Sequence, residues 1–209
     1  MGLVEEILKK TPNDLLTEAE LSVIIGKSDA SRHNMLKRAI AKGTLLHVRR
    51  GLYYLGEPYR RASVNPYELA QKIYGPSYIS FESALAYWGL IPEAVYSVTS
   101  ASTKRAREFK TPLGEFSYTQ VPVRVFIYGV ERLIQGPHAI LMATPLKALT
   151  DYVYVNRLSW HGIKPLSESL RIDPAELDCN GEDIAEIEQA YQSLRVSRFL
   201  VGLRKDLEL

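Results

Sequence analysis

Residues 17–55, TEAELSVIIGKSDASRHNMLKRAIAKGTLLHVRRGLYYL, decide the fold. Thr17, with Glu20 three positions on, is a capping box that opens a helix. Leu21, Ile24 and Ile25 form its buried face and Gly26 ends it. Ser28 or Asp29 then caps a second helix running to about Lys42, where Gly43 closes it. Its apolar positions are Leu36, Ala39 and Ile40, so most of its N-terminal half is left for solvent. Two short β-prone runs, Thr44 to Val48 and Leu52 to Leu55, flank Arg49-Arg50-Gly51 and read as a hairpin. Upstream, Leu3 to Lys10 places Leu3, Val4, Ile7 and Leu8 on one helical face before Thr11-Pro12-Asn13-Asp14 stops it. Helix, helix, short turn, helix, hairpin is the order of a winged helix-turn-helix.

The third helix carries the chemistry that a duplex asks for. A helix enters the major groove with its N-terminal half nearest the base edges. Here that half offers Lys27, Ser28, Ser31, Arg32 and Asn34. Arg can pair bidentately with guanine and Asn with adenine. The two serines can take phosphates. Lys37 and Arg38, one turn on, reach for the flanking backbone, and Arg49 and Arg50 place two cations at the hairpin tip. Polar residues at a helix start also serve as caps, and a cationic face is often only solvated. The order of elements is what sets these residues side by side.

Outward from there, Gly56–Pro66 breaks the pattern with Pro58, Arg60, Arg61, Asn65 and Pro66. The expected division is a DNA-binding domain at 1–60 and a second domain at 61–209. In the second, Pro66 to Tyr74, Ser80 to Trp88, Leu146 to about Val155 and Gly181 to Leu207 read as helices, the last as one long helix or two. Val95 to Ala101, Glu115 to Val121, Val123 to Tyr128 and His138 to Ala143 read as strands. The expected class is α+β, with helices around a small, mostly antiparallel sheet.

Composition bounds the rest. Of 209 residues, 46% are hydrophobic and 24% charged, enough to fill a core. No apolar run approaches the ~18 residues of a membrane span. The stretch MGLVEEILKK is acidic where a signal peptide is basic, and Glu6 stands where myristoylation wants Ser or Thr. The expected compartment is the cytoplasm. Lys and Arg outnumber Asp and Glu 11 to 7 over residues 1–61 and 9 to 7 over 62–158, but trail 6 to 10 over 159–209. A basic front suits a polyanion. Cys179 is the only cysteine, and His33, His47, His138 and His161 lack ligand spacing, so no metal is expected. No cofactor and no catalysis are expected either. Ser77, Ser80 and Ser83 lack a GxSxG frame, no phosphate loop occurs, and Glu115 and Asp151 stand isolated.

Three stretches resemble the AbiEi family, the antitoxins of type IV toxin–antitoxin systems. They are RGLYYL at 50–55, SYISFESALAYWGLIP at 77–92, and ATPLKALTDY at 143–152, spread over roughly residues 15–155. The resemblance implies a two-part protein. Its N-terminal winged helix binds inverted repeats upstream of its own operon and represses it. Its second domain counteracts a nucleotidyltransferase toxin encoded alongside, without a stable complex. The cations of the third helix and the hairpin match the family's DNA-binding region; no antitoxin residue carries over. The alternative is a stand-alone regulator whose second domain senses a ligand or dimerises.

The same stretches have plain structural roles. Phe81, Leu85, Trp88 and Leu90 have core spacing, and Pro145 followed by Leu146 and Leu149 is an ordinary helix start. Lys104, Arg105, Arg107 and Lys110 crowd a segment between two strands. Three readings stay open for it: a solvated loop, a second nucleic-acid contact, or the surface that meets the toxin or its RNA substrate.

Overall fold

A computed structural model describes residues 2–92, 96–136 and 138–209. The chain divides into two compact units, Met1–Asn65 with Phe109–Leu113, and Pro66–Glu108 with Gly114–Leu209. The protein is α+β. Among the described residues, no helix is long and apolar enough to cross a membrane.

The first unit runs α1 (Leu3–Lys10), β1 (Leu15–Thr17), α2 (Glu18–Ile25), α3 (Asp29–Ala41), β2 (Leu45–Arg49) and β3 (Leu52–Leu55). The capping box at α2 forms: the Thr17 amide donates to Glu20 Oε2 at 2.7 Å, and the Glu20 amide to Thr17 Oγ1 at 3.2 Å. Gly26 and Gly43, both in the left-handed region, end α2 and α3. Val4, Ile7, Leu16, Leu21, Ile24, Ile25, Leu36, Ala39, Leu45, Tyr53 and Leu55 form one core. The three strands lie in the order β1-β3-β2, all antiparallel. β1 was not expected. It is a strand because Leu15, Leu16 and Thr17 pair with Tyr54, Tyr53 and Leu52. Arg61 closes the unit: its guanidinium donates to Asp14 Oδ1 at 3.0 Å and to the Leu8 and Thr11 carbonyls at 3.0 and 2.9 Å.

The second unit holds α4 (Pro66–Ile73), β4 (Ser77–Ile79), α5 (Phe81–Tyr87), β5 (Ser97–Ser102), the start of β6 (Arg107–Thr111), whose residues from Phe109 on fall in the first unit, β7 (Gly114–Gln120), β8 (Val130–Gln135) and β9 (His138–Ala143). The helices α6 (Pro145–Val155), α7 (Lys164–Leu170), α8 (Gly181–Tyr191) and α9 (Leu194–Asp206) follow. The sheet has six strands in the order β6-β7-β5-β4-β9-β8. It is mixed rather than small and mostly antiparallel, because β4–β9 and β5–β7 are parallel. Two further expectations change, and one left open is decided. Val123 to Tyr128 is not a strand: Pro122 leads into a 3-10 turn at Val123–Val125. The tail is two helices, broken where Gln192 takes the left-handed conformation. The 104–110 segment is not all loop, since Arg107 and Lys110 lie on the edge strand β6. Val95, the expected start of the β5 strand, lies outside the described residues.

The interior of this unit contains charge. Lys147 and Asp151, both fully buried, pair across one turn of α6 at 2.8 Å. Asp151 also accepts from the Tyr78 and Ser80 hydroxyls at 2.9 and 2.7 Å and from Tyr191, while Lys147 donates to Tyr191 at 2.7 Å. Burial pushes the Lys147 ammonium down, with Asp151 opposing, and pushes the Tyr78 and Tyr191 phenols well up. Each Asp151 oxygen accepts two hydrogen bonds, and Lys147 has two acceptors, which is how a buried pair persists. Trp88 adds a second link, its indole N–H donating to the Ala143 carbonyl at 2.8 Å.

Candidate nucleic-acid interface

Register places the hairpin. β1 pairs with β3 and runs straight into α2, so the turn joining β2 to β3 lands on the first turn of α2. The Glu18 amide donates to the Gly51 carbonyl at 3.0 Å, which satisfies an otherwise orphan helix N–H. Gly51 itself is left-handed, at φ +74°. The Glu18 side chain then works as a hub. Its Oε2 accepts from the Tyr53 hydroxyl of β3 at 3.1 Å, and its Oε1 pairs with Arg32 Nε of α3 at 3.4 Å. Burial and this carboxylate together raise the Tyr53 phenol. One acid thus fastens the front of α3 to the hairpin.

With α3 held so, its outer side is a stripe. Ala30, His33, Asn34 and Lys37 are exposed at one-turn spacing, with Arg38 beside them, while Leu36 and Ala39 face the core. Lys27 and Ser28 are exposed at its N-terminal end, and the Ser28 side chain makes no cap bond. Ser31 is half-buried.

Two expected residues depart from that outward face. Arg32 has only 15% of its side chain exposed and is shared between Glu18 and Asp29, the latter at 2.9 Å. Arg49 turns back: its Nη1 donates to the Arg50 carbonyl at 2.9 Å, and its Nε is buried without a hydrogen-bond partner. The pairing of β2 with β3 shifts register between His47 and Arg49, at the same place. Of the two tip arginines, Arg50 is the exposed one. Lys27, Lys37, Arg38 and Arg50 are therefore the cations this surface presents outward, with His33 as an added donor. Glu18 is the residue that reading the sequence missed as part of the surface. Its signal was available as an acid at the first position of α2, where it reads as helix-dipole complement.

The 104–110 residues do not form one group. The Lys104 ammonium donates to the Gly75 carbonyl and lies 5.3 Å from the Tyr74 ring centre. The Tyr74 hydroxyl donates to the Arg105 carbonyl at 3.2 Å, so the segment is anchored rather than loose. Arg105, Arg107 and Lys110 are exposed. Among the described residues, no group of three His, Cys, Asp or Glu side chains is placed to hold a metal ion.

No protein-family model matches this chain, and no curated protein sequence does.

Proposed function

We propose that residues 2–65 act as a winged helix-turn-helix on duplex DNA, and that the chain is an autorepressor and antitoxin of the AbiEi kind. The observation that carries the reading is the exposed stripe of α3 standing beside Arg50, both fastened through Glu18. α3 supplies what base edges and phosphates take: Asn34 and His33 for hydrogen bonds, and Lys27, Lys37 and Arg38 for charge. Arg50 at the turn reaches backbone or minor groove. Arg32 acts as a positioning residue in this reading. The antitoxin half rests on the likeness of the 77–92 and 143–152 stretches, which meet around Asp151. Its partner is a nucleotidyltransferase toxin encoded in the same operon, opposed without a stable complex.

Two measurements test the halves apart. Anisotropy titration of the full chain against the duplex upstream of its own gene is expected to show saturable, salt-sensitive binding that is lost in Lys37→Ala/Arg38→Ala/Arg50→Ala. Absence of binding to any duplex at low salt removes the DNA half. Co-expression with the neighbouring nucleotidyltransferase is expected to relieve growth arrest, in that same variant too. Arrest unrelieved by the wild-type chain leaves a stand-alone regulator.

A further inference from the structure

In the second unit, the segment after α6 is laid tightly on α9. A Cβ on Gly202 would fall 2.2 Å from His161 Nδ1 and 2.5 Å from the Gly162 amide nitrogen, so only glycine permits the approach. The Ile163 amide donates to Asp206 Oδ2 at 3.0 Å and pins the segment's far end. Trp160 packs against Phe199, 6.2 Å away and edge-on, and against Tyr152, 5.8 Å away and tilted. The result is a cleft of about 340 Å³ lined by Ser159, Trp160, His161, Leu194, Arg195 and Arg198. That volume is within the range of small-ligand sites, about 300–1,000 Å³.

Its lining is chemically mixed in a particular way. Arg195 and Arg198 sit three apart on α9. Among the described residues, neither guanidinium has a hydrogen-bond or ion-pair partner. No acid lines the cleft, although residues 159–209 carry more Asp and Glu than Lys and Arg. Leu194 is 81% exposed beside the half-buried Trp160. Paired guanidiniums suit a phosphate, which they hold through parallel N–H donors. A fixed indole with an apolar shoulder suits the flat face of a base. His161 and Ser159 add polar groups of the kind that hydroxyls take. Phosphate alone would leave Trp160 and Leu194 without a role, and a bare aromatic would leave the arginines without one.

We propose that this cleft binds a nucleoside monophosphate unit, Arg195 and Arg198 holding the phosphate and Trp160 the base. The unit is either a free nucleotide or the terminal nucleotide of a single strand. The test titrates the full chain with AMP, GMP, CMP and UMP, read by tryptophan fluorescence and calorimetry. At least one is expected to bind saturably, about tenfold or more tighter than inorganic phosphate or its own nucleoside. Arg195→Gln/Arg198→Gln is expected to keep the wild-type melting temperature, having no partners to lose, and to weaken binding at least about tenfold. Trp160→Phe conserves the ring packing and is expected to weaken it less than the arginine pair does, yet measurably. A short single-stranded oligonucleotide with a terminal phosphate separates the sources: tighter binding than the mononucleotide assigns a strand end, equal or weaker binding a free nucleotide. No saturation by any mononucleotide or by the oligonucleotide overturns the proposal. So does affinity unchanged in either variant.

Discussion

Salt dependence gives the sharpest test of the α3 surface, because each phosphate neutralised adds about 0.9 to the slope of log K against log salt. The exposed cations on the outer side of α3, just before it and at the turn are Lys37, Arg38, Lys27 and Arg50. If all of them meet phosphate, the slope is about −3.6, and raising salt fourfold weakens binding about 150-fold. Counting Arg32 and Arg49 as well would give about −5.4 and a loss near 1,800-fold. The structure withholds both, since Arg32 is shared by Glu18 and Asp29 and Arg49 bonds the Arg50 carbonyl. The perturbation is Lys37→Ala, which is expected to bring the slope to about −2.7 and the fourfold-salt loss to about 40-fold. Arg32→Ala is expected to weaken binding at every salt concentration without moving the slope, because it loosens α3 from the hairpin rather than removing a phosphate contact. Fluorescence anisotropy on a labelled duplex across the salt series reads all of this. A slope shallower than about −1 refutes DNA binding through this face. A wild-type slope near −5.4 would falsify the claim that Arg32 and Arg49 are turned inward.

Three further outcomes follow from the second unit. Lys147→Met leaves the Asp151 carboxylate buried with one partner fewer, and chemical denaturation is expected to show a loss of about 3–5 kcal/mol; an unchanged midpoint would mean the pair contributes nothing. Burial, reinforced by Asp151, holds the Tyr78 and Tyr191 phenols well above their ordinary range. The unfolded chain releases these protons near pH 10 while the folded chain keeps them, so stability present below pH 10 is lost as pH rises above it. The slope is about 1.4 kcal/mol per pH unit for each tyrosine, and a melting temperature flat from pH 9 to about pH 11 contradicts it. Burial, helped by Asp183 and Asp178, pushes the Cys179 thiol up to about 11. Alkylation is therefore expected to be slow near neutrality and to rise only in strong base, where a rate that is already maximal at pH 8 would contradict the burial.

What was legible in the sequence was written locally. The helices of the first unit start and stop where Thr17, Glu20, Gly26 and Gly43 say, because caps and left-handed glycines act within a few residues. What was missed depends on distant partners. Leu15-Leu16-Thr17 is too short to read as a strand until Tyr54, Tyr53 and Leu52 lie beside it. Arg107–Thr111 carries charges that read as loop, yet an edge strand turns such residues outward. Val123–Val125 has strand composition, and there the overlooked signal was local: Pro122 just before it has no amide to donate to a ladder. The α3 face was legible as a pattern of polar residues. That Arg32 would be drawn down by Glu18, fourteen positions earlier, was not. Nor was the Lys147–Asp151 pair, although a Lys and an Asp four apart in an otherwise apolar helix was its visible trace.

The stretches that carry the family likeness and the surfaces that carry the proposed chemistry fall in different places. Residues 77–92 and 143–152 converge inward: Tyr78 and Ser80 reach Asp151, Trp88 reaches Ala143, and Phe81 and Leu85 are buried. Such residues specify packing, since a buried acid with every lone pair used tolerates few substitutes. They bear on packing, and a fold does not set what its surface touches. The groups free to meet a ligand lie elsewhere, on α3 with Arg50 and on the cleft of Trp160, Arg195 and Arg198. The 159–198 part of the chain adds nothing to the likeness. Two proteins that share such a core can therefore differ in what their surfaces bind. Variation in His33, Asn34, Lys37, Arg195 or Arg198 at constant stability is where functional divergence is expected to register.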